Sequence, residues 1–348
     1  MNILLDFITQ MAKGRALTPA EIGAAVAALL APEIADDDKA AFLTALAGKG
    51  ETAEEIAAFA SELRSRAVDP GLPAGKLLDI VGTGADGANT FNISSCTMFV
   101  AAAAGIPVAK HGNRAVTSKC GSADVLEALG AKIELPAEAA RRCLAEAGIT
   151  FLFAPFYHPA FKAIAPVRKQ LAARRQRTIF NILGPLVNPA RPTHQLVGVF
   201  DQSLVPKFAE VLRLLDVKHA LVVHGDGLDE LSTRGVNTVA ELWRGKIELT
   251  ERDFRVPATL WRVLPVKPEE LAGGDPTTNA GIVREILSGK DCGARRDIVL
   301  LNAAAALVVA EVADTFEHGW QRAAELIDTG AAFDRLHRFV AASRHGET

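Results

Sequence analysis

From residue 77 onward, candidate strands alternate with candidate helices. The candidate strands are short runs rich in β-branched residues, and the segments between them carry helical periodicity. This alternation is typical of an α/β sheet that is covered by helices on both faces. We expect strands at 77–81, 106–109, 149–153, 195–200 and 219–224, and helices at 92–104, 122–129, 136–147, 204–215, 279–288 and 298–312.

The first seventy residues carry helical signals only. Thr18 stands three residues before Glu21, and Thr52 stands three before Glu55, which is the spacing of a capping box at a helix N-terminus. Two prolines and a glycine at 69–73 indicate that the chain passes to another domain there. We expect a small helical domain over 1–72, joined by a returning helix near 166–176, and a large α/β domain over 73–165 and 177–348.

Composition narrows the possible functions. Apolar residues make up 49% of the chain and charged residues 23%, the balance of a packed globular protein, and 38 Lys and Arg against 41 Asp and Glu give a net charge of −3. That charge supplies no broad positive field for nucleic acid, so any phosphate site must be local. The four cysteines form no CxxC pair, no apolar run reaches the roughly 20 residues that span a bilayer, and no basic leader begins the chain. We therefore expect a cytoplasmic protein that binds neither nucleic acid nor membranes.

A glycine-rich loop follows the first predicted strand. It runs from Gly82 to Gly87, and a segment rich in hydroxyl side chains, 92–95, opens the next helix. Backbone N–H groups at such a turn suit phosphate. A plain strand-to-helix turn is the competing interpretation. The loop is not a dinucleotide-binding fingerprint, because the third glycine is missing and the helix begins too late.

A basic loop follows the second predicted strand. Lys110, Arg114 and Lys119 lie with several hydroxyl and glycine residues, Thr117 among them, in a stretch that ends at Ser122. Cations and oriented donors predict an anion site, although composition alone fits a solvated basic loop equally well. Ser122 is also predicted to be the N-cap of the helix over 122–129.

Two further groups carry candidate chemistry. Asp229 and Glu230 lie in a glycine-flanked loop after a predicted strand, where adjacent carboxylates suit Mg²⁺; an exposed acidic turn is the alternative. Aromatic residues and prolines at 154–161 precede Arg168, which suggests a slot for a flat ring with a carboxylate. His158, taken alone, is more typical of a structural loop histidine.

Taken together, these stretches resemble the anthranilate phosphoribosyltransferase family, in family order over most of residues 15 to 315. The resemblance implies a small helical domain plus a large α/β domain with a central mixed, mainly parallel sheet, as in nucleoside phosphorylases and phosphoribosyltransferases. It also implies homodimers formed through the small domain. The stretches that carry the resemblance read GTGADGANTFNISS, KHGNRAVTSKCGSADVLEALG, FAPFYHPAFK with VRKQL, RTIFNILGPLVNP and DGLDELS.

The resemblance implies transfer of a phosphoribosyl group to anthranilate in tryptophan biosynthesis, with Mg²⁺ as cofactor. It implies no single acid or base, and orientation by Asn113 and Arg168. Residues implied for phosphoribosyl pyrophosphate are Gly82, Ala85, Asp86, Thr90, Asn92, Ser94, Ser95, Lys110, Asn113, Ser118 and Ser122. Those implied for magnesium are Ser94, Asp229 and Glu230. Those implied for the path of anthranilate, besides Asn113 and Arg168, are His111, Ala154, Pro155, His158, Phe161 and Gly184.

The chain departs from the family pattern at two places. Ala85 stands where the family has a glycine, and a positive φ there would cost on the order of 1 kcal/mol. The segment between Leu171 and Thr178 is a few residues longer than usual and adds arginines.

Two other functions compete with this one. A pyrimidine nucleoside phosphorylase would bind phosphate without a divalent metal, and the acidic pair argues against it. A non-catalytic relative that binds nucleic acid would have degraded metal ligands and a basic groove, which the intact pair and the net charge oppose.

Overall fold

The computed structural model describes residues 2–115, 118–254 and 266–345. Four helices form an N-terminal bundle: α1 Ile3–Met11, α2 Pro19–Leu30, α3 Asp36–Lys49 and α4 Ala53–Ser65. Both predicted capping boxes form. The Thr18 hydroxyl accepts from the Glu21 amide at 3.4 Å, the Thr52 hydroxyl accepts from the Glu55 amide at 3.2 Å, and each glutamate accepts from the backbone of its threonine.

A seven-stranded sheet with the order β3-β2-β1-β4-β5-β6-β7 follows the bundle. The first five strands in that order are parallel and the last two antiparallel, so the expected mixed, mainly parallel sheet is confirmed. The strands are β1 Leu78–Gly82, β2 Val108–Gly112, β3 Ile149–Phe153, β4 His194–Gly198, β5 His219–Gly225, β6 Val236–Trp243 and β7 Lys246–Asp253.

The hairpin of β6 and β7 was not predicted. Its strands are joined at Arg244 and Gly245, whose φ angles are +50° and +76°. Positive φ at both central residues is the requirement of a type I′ turn, which an asparagine or glycine signals more clearly than an arginine does. The outer strand β7 carries charged residues along most of its length, so it lacks the apolar run of the five parallel strands.

Ten helices complete the described chain. They are α5 Ile93–Ala103, α6 Ser122–Ala128, α7 Ala137–Ala147, α8 Ala154–Tyr157, α9 Ala165–Ala173, α10 Leu204–Leu214, α11 Pro276–Leu287, α12 Ala294–Val309, α13 Phe316–Asp328 and α14 Ala331–Arg344. All six helices predicted for the α/β part are present, within a few residues of the expected ends. Helices α13 and α14 were not predicted, although the Thr315 hydroxyl caps α13 by accepting from the His318 amide at 3.1 Å.

The apolar core forms two clusters, one on each face of the sheet. One cluster packs α5, α7 and α11–α14 on the sheet. The other joins the bundle, α9 and α10 to the opposite face, with Val167 and Leu171 of α9 buried beside bundle residues. The bundle is therefore continuous with the sheet through one core, and the carboxyl ends of the strands stay free for a site. Within the described ranges, no helix is long and apolar enough to cross a membrane.

Candidate active site

A cavity of about 380 Å³ lies at the carboxyl ends of β1, β2 and β5. Parallel strands present their carboxyl ends at one edge of the sheet, so loops that are distant in sequence meet there. The sequence-predicted residues that line it are Gly82, Ala85, Asp86, Thr90, Asn92, Ser94, Lys110, His111, Asn113, Ser118, Ser122, Ala154, Phe161, Arg168, Gly184, Asp229 and Glu230.

Three predicted residues are not among those that line the cavity. The Ser95 side chain is buried inside α5, and its hydroxyl has no hydrogen-bond partner. His158 is buried behind the ring of Phe161, and Pro155 is exposed. Thr117, which the sequence analysis placed in the basic loop, lies outside the described residues.

The charged half of the cavity consists of the glycine loop, the lysine of β2 and the acidic pair. One carboxylate oxygen of Asp229 accepts from the Gly84 amide at 2.6 Å, and the Asp229 amide donates to Asp86 at 3.5 Å. A Cβ at Gly82 would lie 2.3 Å from the same Asp229 oxygen, and one at Gly198 would lie 1.6 Å from the Asp229 carbonyl oxygen. Both glycines are therefore required by the close approach of the acidic loop.

Acidic side chains outnumber buried basic side chains in this half. Burial and, after it, the charge of the neighbouring Asp86 raise the pKa of Asp229 to about 7. Burial also raises the pKa of Glu230 to about 8, with the charge of Asp229 acting in the same direction. Lys110 is buried with its ammonium donating to the Ser94 hydroxyl at 3.2 Å and to the Ile80 carbonyl, and burial lowers its pKa. One lysine faces several carboxylates, which is an environment that favours a further cation.

The basic loop contributes fewer cations than expected. Arg114 reaches the cavity but is ion-paired with Asp124 at 3.3 Å and with Glu127, and Lys119 is exposed and not among the lining residues. Of the three predicted cations, only Lys110 is buried in the cavity. The alternative of a solvated basic loop therefore describes Arg114 and Lys119, since two acidic side chains of α6 bind Arg114 and Lys119 is exposed.

Ser122 is not the N-cap of α6, so the prediction that it caps this helix was wrong. Gly121 takes the N-cap position, and Asp124 accepts from the Gly121 and Ala115 amides at 2.8 Å each. The Ser122 hydroxyl instead lies against the Asn113 carbonyl at 3.4 Å, at the cavity wall. The carboxylate three residues into the helix replaces the hydroxyl cap and leaves Ser122 facing the site.

Asn92 at the start of α5 ties three segments together. Its amide nitrogen donates to the Cys120 carbonyl at 3.2 Å, and its amide oxygen accepts from Asn279 at 2.8 Å. Asn279 in turn accepts from the Gly274 amide at 2.7 Å. Asn279 was not predicted, since a single asparagine inside a helix carries no spacing signal.

The apolar half is a stack of rings that ends at a guanidinium. The His158 ring stacks on Phe161 with centroids 4.9 Å apart, and Phe161 meets the edge of Phe180 at 6.0 Å. The Arg168 guanidinium lies 5.3 Å from the Phe180 centroid, and burial lowers its pKa. In the described parts of the chain no acidic side chain pairs with Arg168. This half suits a flat ring that carries a negative charge.

Two buried histidines in this half are neutral. Burial and, after it, the nearby His158 lower the pKa of His111 to about 3. Burial likewise lowers the pKa of His158 to about 4. His111 Nδ1 lies 3.2 Å from the Gly184 carbonyl and His158 Nε2 lies 2.8 Å from the Val187 carbonyl. Since a carbonyl only accepts, these ring nitrogens carry the protons, and His111 Nε2 is left buried without a partner.

Family models match both parts of the chain. The model described as "Glycosyl transferase family, helical bundle domain" matches residues 5–67, and "Glycosyl transferase family, a/b domain" matches 74–333. The anthranilate phosphoribosyltransferase of Roseiflexus sp. (strain RS-1) is 48% identical over 343 residues, which are 98% of this chain and 98% of that protein.

Solved structures agree with the family models. The anthranilate phosphoribosyltransferase of Thermus thermophilus has a TM-score of 0.89 and 38% identity, over 99% of this chain and 100% of that one. The Saccharomyces cerevisiae enzyme in complex with PRPP (phosphoribosyl pyrophosphate) and Mg has a TM-score of 0.87 and 28% identity, over 98% and 97%. The chain described here therefore belongs to the anthranilate phosphoribosyltransferase family.

Proposed function

We propose that this chain transfers the phosphoribosyl group of phosphoribosyl pyrophosphate to the amine of anthranilate, in tryptophan biosynthesis. The products are N-(5-phosphoribosyl)anthranilate and pyrophosphate. One observation carries the proposal: a cavity with an excess of acidic side chains at one side has, at the other, a ring-lined slot that ends at Arg168. With a divalent cation between them, the acidic side suits a diphosphate, and the slot suits a flat aromatic acid.

The donor set of the charged half fits Mg²⁺. Ser94, Asp229 and Glu230 offer oxygen ligands, the kind that Mg²⁺ prefers. Among the described residues, no group of three or more His, Cys, Asp or Glu side chains is arranged to hold a metal by itself. That too fits Mg²⁺, which is usually held by one or two carboxylates together with waters and substrate phosphates. When bound, the cation would neutralise charge on the departing pyrophosphate.

The chain's own groups orient and stabilise the phosphoribosyl donor. The amides of the glycine loop and the N-terminus of α5 present N–H groups at the cavity, where they suit phosphate oxygens. The Lys110 ammonium adds a buried positive charge at the same place. Pyrophosphate leaves more readily when its charge is neutralised, so these groups act on the bond that breaks.

Anthranilate needs orientation more than proton transfer. Its aromatic amine is uncharged at neutral pH, so we assign Asn113 and Arg168 to aim it at the sugar and assign no residue as a general acid or base. Arg168 would pair with the anthranilate carboxylate, because a guanidinium fork matches that group. Attack from the face opposite pyrophosphate would invert the sugar C1, and a product with retained configuration would exclude this arrangement.

A fluorescence assay tests the proposed function. The purified protein should consume anthranilate only when phosphoribosyl pyrophosphate and Mg²⁺ are both present, and EDTA should stop the reaction. Cleavage of a pyrimidine nucleoside by phosphate that survives EDTA, without use of anthranilate, would favour the phosphorylase alternative instead.

The assembly and the compartment rest on separate observations. α1 exposes Ile3 at 38% and Leu5 at 49%, and such apolar side chains suit a contact between two copies, so we propose a homodimer through the helical bundle. Light scattering should show a dimer that Leu5→Asp weakens.

The cysteines are all free thiols, which fits a cytoplasmic enzyme. The division at 72–73 is supported by the gap between the two family matches, and the return of residues near 166–176 to the bundle by the burial of Val167 and Leu171 in the same core cluster as bundle residues.

A further inference from the structure

Four consecutive carbonyl groups of one loop are each bound by a side chain from a different part of the chain. We call residues 184–188 the carbonyl loop. Its bonds are Gly184 O with His111 Nδ1 at 3.2 Å, Pro185 O with Gln195 Nε2 at 3.2 Å, Leu186 O with Arg64 Nε at 2.7 Å and Val187 O with His158 Nε2 at 2.8 Å. The fifth residue, Asn188, donates to Asp79 and to the Ala109 carbonyl, both at 2.8 Å.

These bonds determine where part of the cavity wall lies. Gly184 and Val187 line the cavity, and the loop belongs to neither the sheet nor an α-helix. A buried carbonyl without a partner costs free energy, so side chains must satisfy what regular structure does not. The place of this wall is therefore fixed by individual side chains of β2, β4, α4 and the segment after α8.

Arg64 is the one of these four side chains that comes from the helical bundle. It lies near the end of α4, 122 residues before its partner Leu186, and is 8% exposed. Its Nη2 is buried with no hydrogen-bond partner, and burial lowers the pKa of the guanidinium to about 10, so it stays charged at neutral pH. A buried cation without a carboxylate partner adds little to stability, because desolvation offsets what the contact gains.

We propose that Arg64 is a positioning residue for the anthranilate side of the reaction. From the bundle it holds the Leu186 carbonyl, and through the carbonyl loop it fixes Gly184 and Val187 beside the ring slot. The charged half shares none of these bonds, so Arg64 acts on one substrate and not on the other. This inference rests on the proposed function, since it assigns the slot to anthranilate.

The test compares substitutions at two arginines of the same helix region. Arg64→Met removes the donor and keeps the length of the side chain, and Arg64→Lys keeps a charged donor. Arg66→Met is the matched control, because Arg66 is exposed and its ion pair, with Glu62 at 3.5 Å, lies on the surface. For each protein, KM for anthranilate, KM for phosphoribosyl pyrophosphate, kcat and the thermal midpoint are measured.

We expect Arg64→Met to raise KM for anthranilate roughly tenfold, the size of one lost hydrogen bond from a charged donor, with KM for phosphoribosyl pyrophosphate changed less than about twofold. Arg64→Lys should recover most of the loss, and Arg66→Met should match the wild type. If Arg64→Met does not fold, Arg64→Lys and Arg64→Gln carry the test through the same ratio of KM values.

Two results overturn the inference. Equal rises in both KM values, or a lower thermal midpoint with both KM values unchanged, would make Arg64 a structural residue only. A wild type that does not consume anthranilate would instead remove the proposed function. The two failures are therefore told apart by the wild-type assay.

Discussion

The two halves of the cavity are held in different ways. The charged half lies directly after β1, β2 and β5, so the backbone of the sheet sets the places of Lys110 and Asp229. The apolar half is built by connecting segments between 154 and 188, and side chains bound to single carbonyl groups hold it. In a half whose position the sheet sets, function is lost when the groups that contact substrate are removed. In a half that side chains hold in place, function is also lost when one of those holding side chains is removed.

The largest expected effect separates the halves by metal dependence. Asp229→Ala combined with Glu230→Ala removes both carboxylates proposed to hold Mg²⁺, and we expect kcat/KM to fall by at least about 1,000-fold. The matched control is Asp226→Asn, in the same loop, where the carboxylate is exposed and pairs with Arg234 at 3.3 Å. Steady-state kinetics at saturating Mg²⁺ measure the difference, and a double variant with wild-type rates would refute the metal assignment.

The next effect belongs to the apolar half. Arg168→Ala should raise KM for anthranilate by roughly 10- to 100-fold, the range for charge-assisted hydrogen bonds, while KM for phosphoribosyl pyrophosphate changes little. Arg174→Ala, at the exposed end of the same helix, should leave both KM values unchanged. Both KM values come from the fluorescence assay. A rise confined to KM for phosphoribosyl pyrophosphate would contradict the assignment of Arg168 to anthranilate.

Acid should weaken the apolar half through its buried histidines. The pKa of His158 falls from 6.5 to about 4 on burial, so the unfolded chain binds an extra proton between those values. The stabilisation is complete above pH 6.5 and is lost as the pH falls toward 4, by about 2 kcal/mol between pH 6.5 and 5. The free energy of unfolding is measured in urea at those two pH values. Between them, His158→Gln should lose about 2 kcal/mol less of this free energy than the wild type does. His337 is exposed, so His337→Gln should lose as much free energy of unfolding as the wild type. Equal losses in the wild type and both variants would contradict this prediction.

The smallest expected effect tests strain in the glycine loop. Ala85 has φ +62°, so its Cβ costs on the order of 1 kcal/mol in a region that glycine adopts freely. Ala85→Gly should lower KM for phosphoribosyl pyrophosphate a few-fold and leave KM for anthranilate unchanged. Ala88→Gly, one residue beyond the glycine loop, is the control and should give no such gain, because Ala88 is not among the residues with a positive φ. A higher KM in Ala85→Gly would show that the alanine stiffens the loop usefully.

The sequence predicted the charged half better than the apolar half, and the reason is physical. Strands with apolar, β-branched runs are recognisable, and residues that follow parallel strands must meet at one edge of the sheet. Lys110 and Asp229 were therefore predictable as neighbours, although they are more than a hundred residues apart. The hairpin β6–β7 was missed because its turn has an arginine at a positive φ and its outer strand is charged.

The remaining contacts depend on tertiary packing that no local pattern specifies. Nothing near Arg64 indicates that its side chain reaches Leu186, and the competition of Asp124 and Glu127 for Arg114 appears only once α6 is in place. The segment 177–189 contains two prolines, but no pattern in it indicates which side chains bind its carbonyl groups. In the structure those side chains come from four other parts of the chain.

A crystal of the protein with Mn²⁺, phosphoribosyl pyrophosphate and anthranilate tests the central claim most directly. Anomalous scattering should place the metal about 2.1 Å from an oxygen of Asp229 or Glu230, bridged to the diphosphate, with the anthranilate carboxylate at Arg168. A metal bound away from that pair, or anthranilate lying outside the ring slot, would contradict the division of the cavity into these two halves.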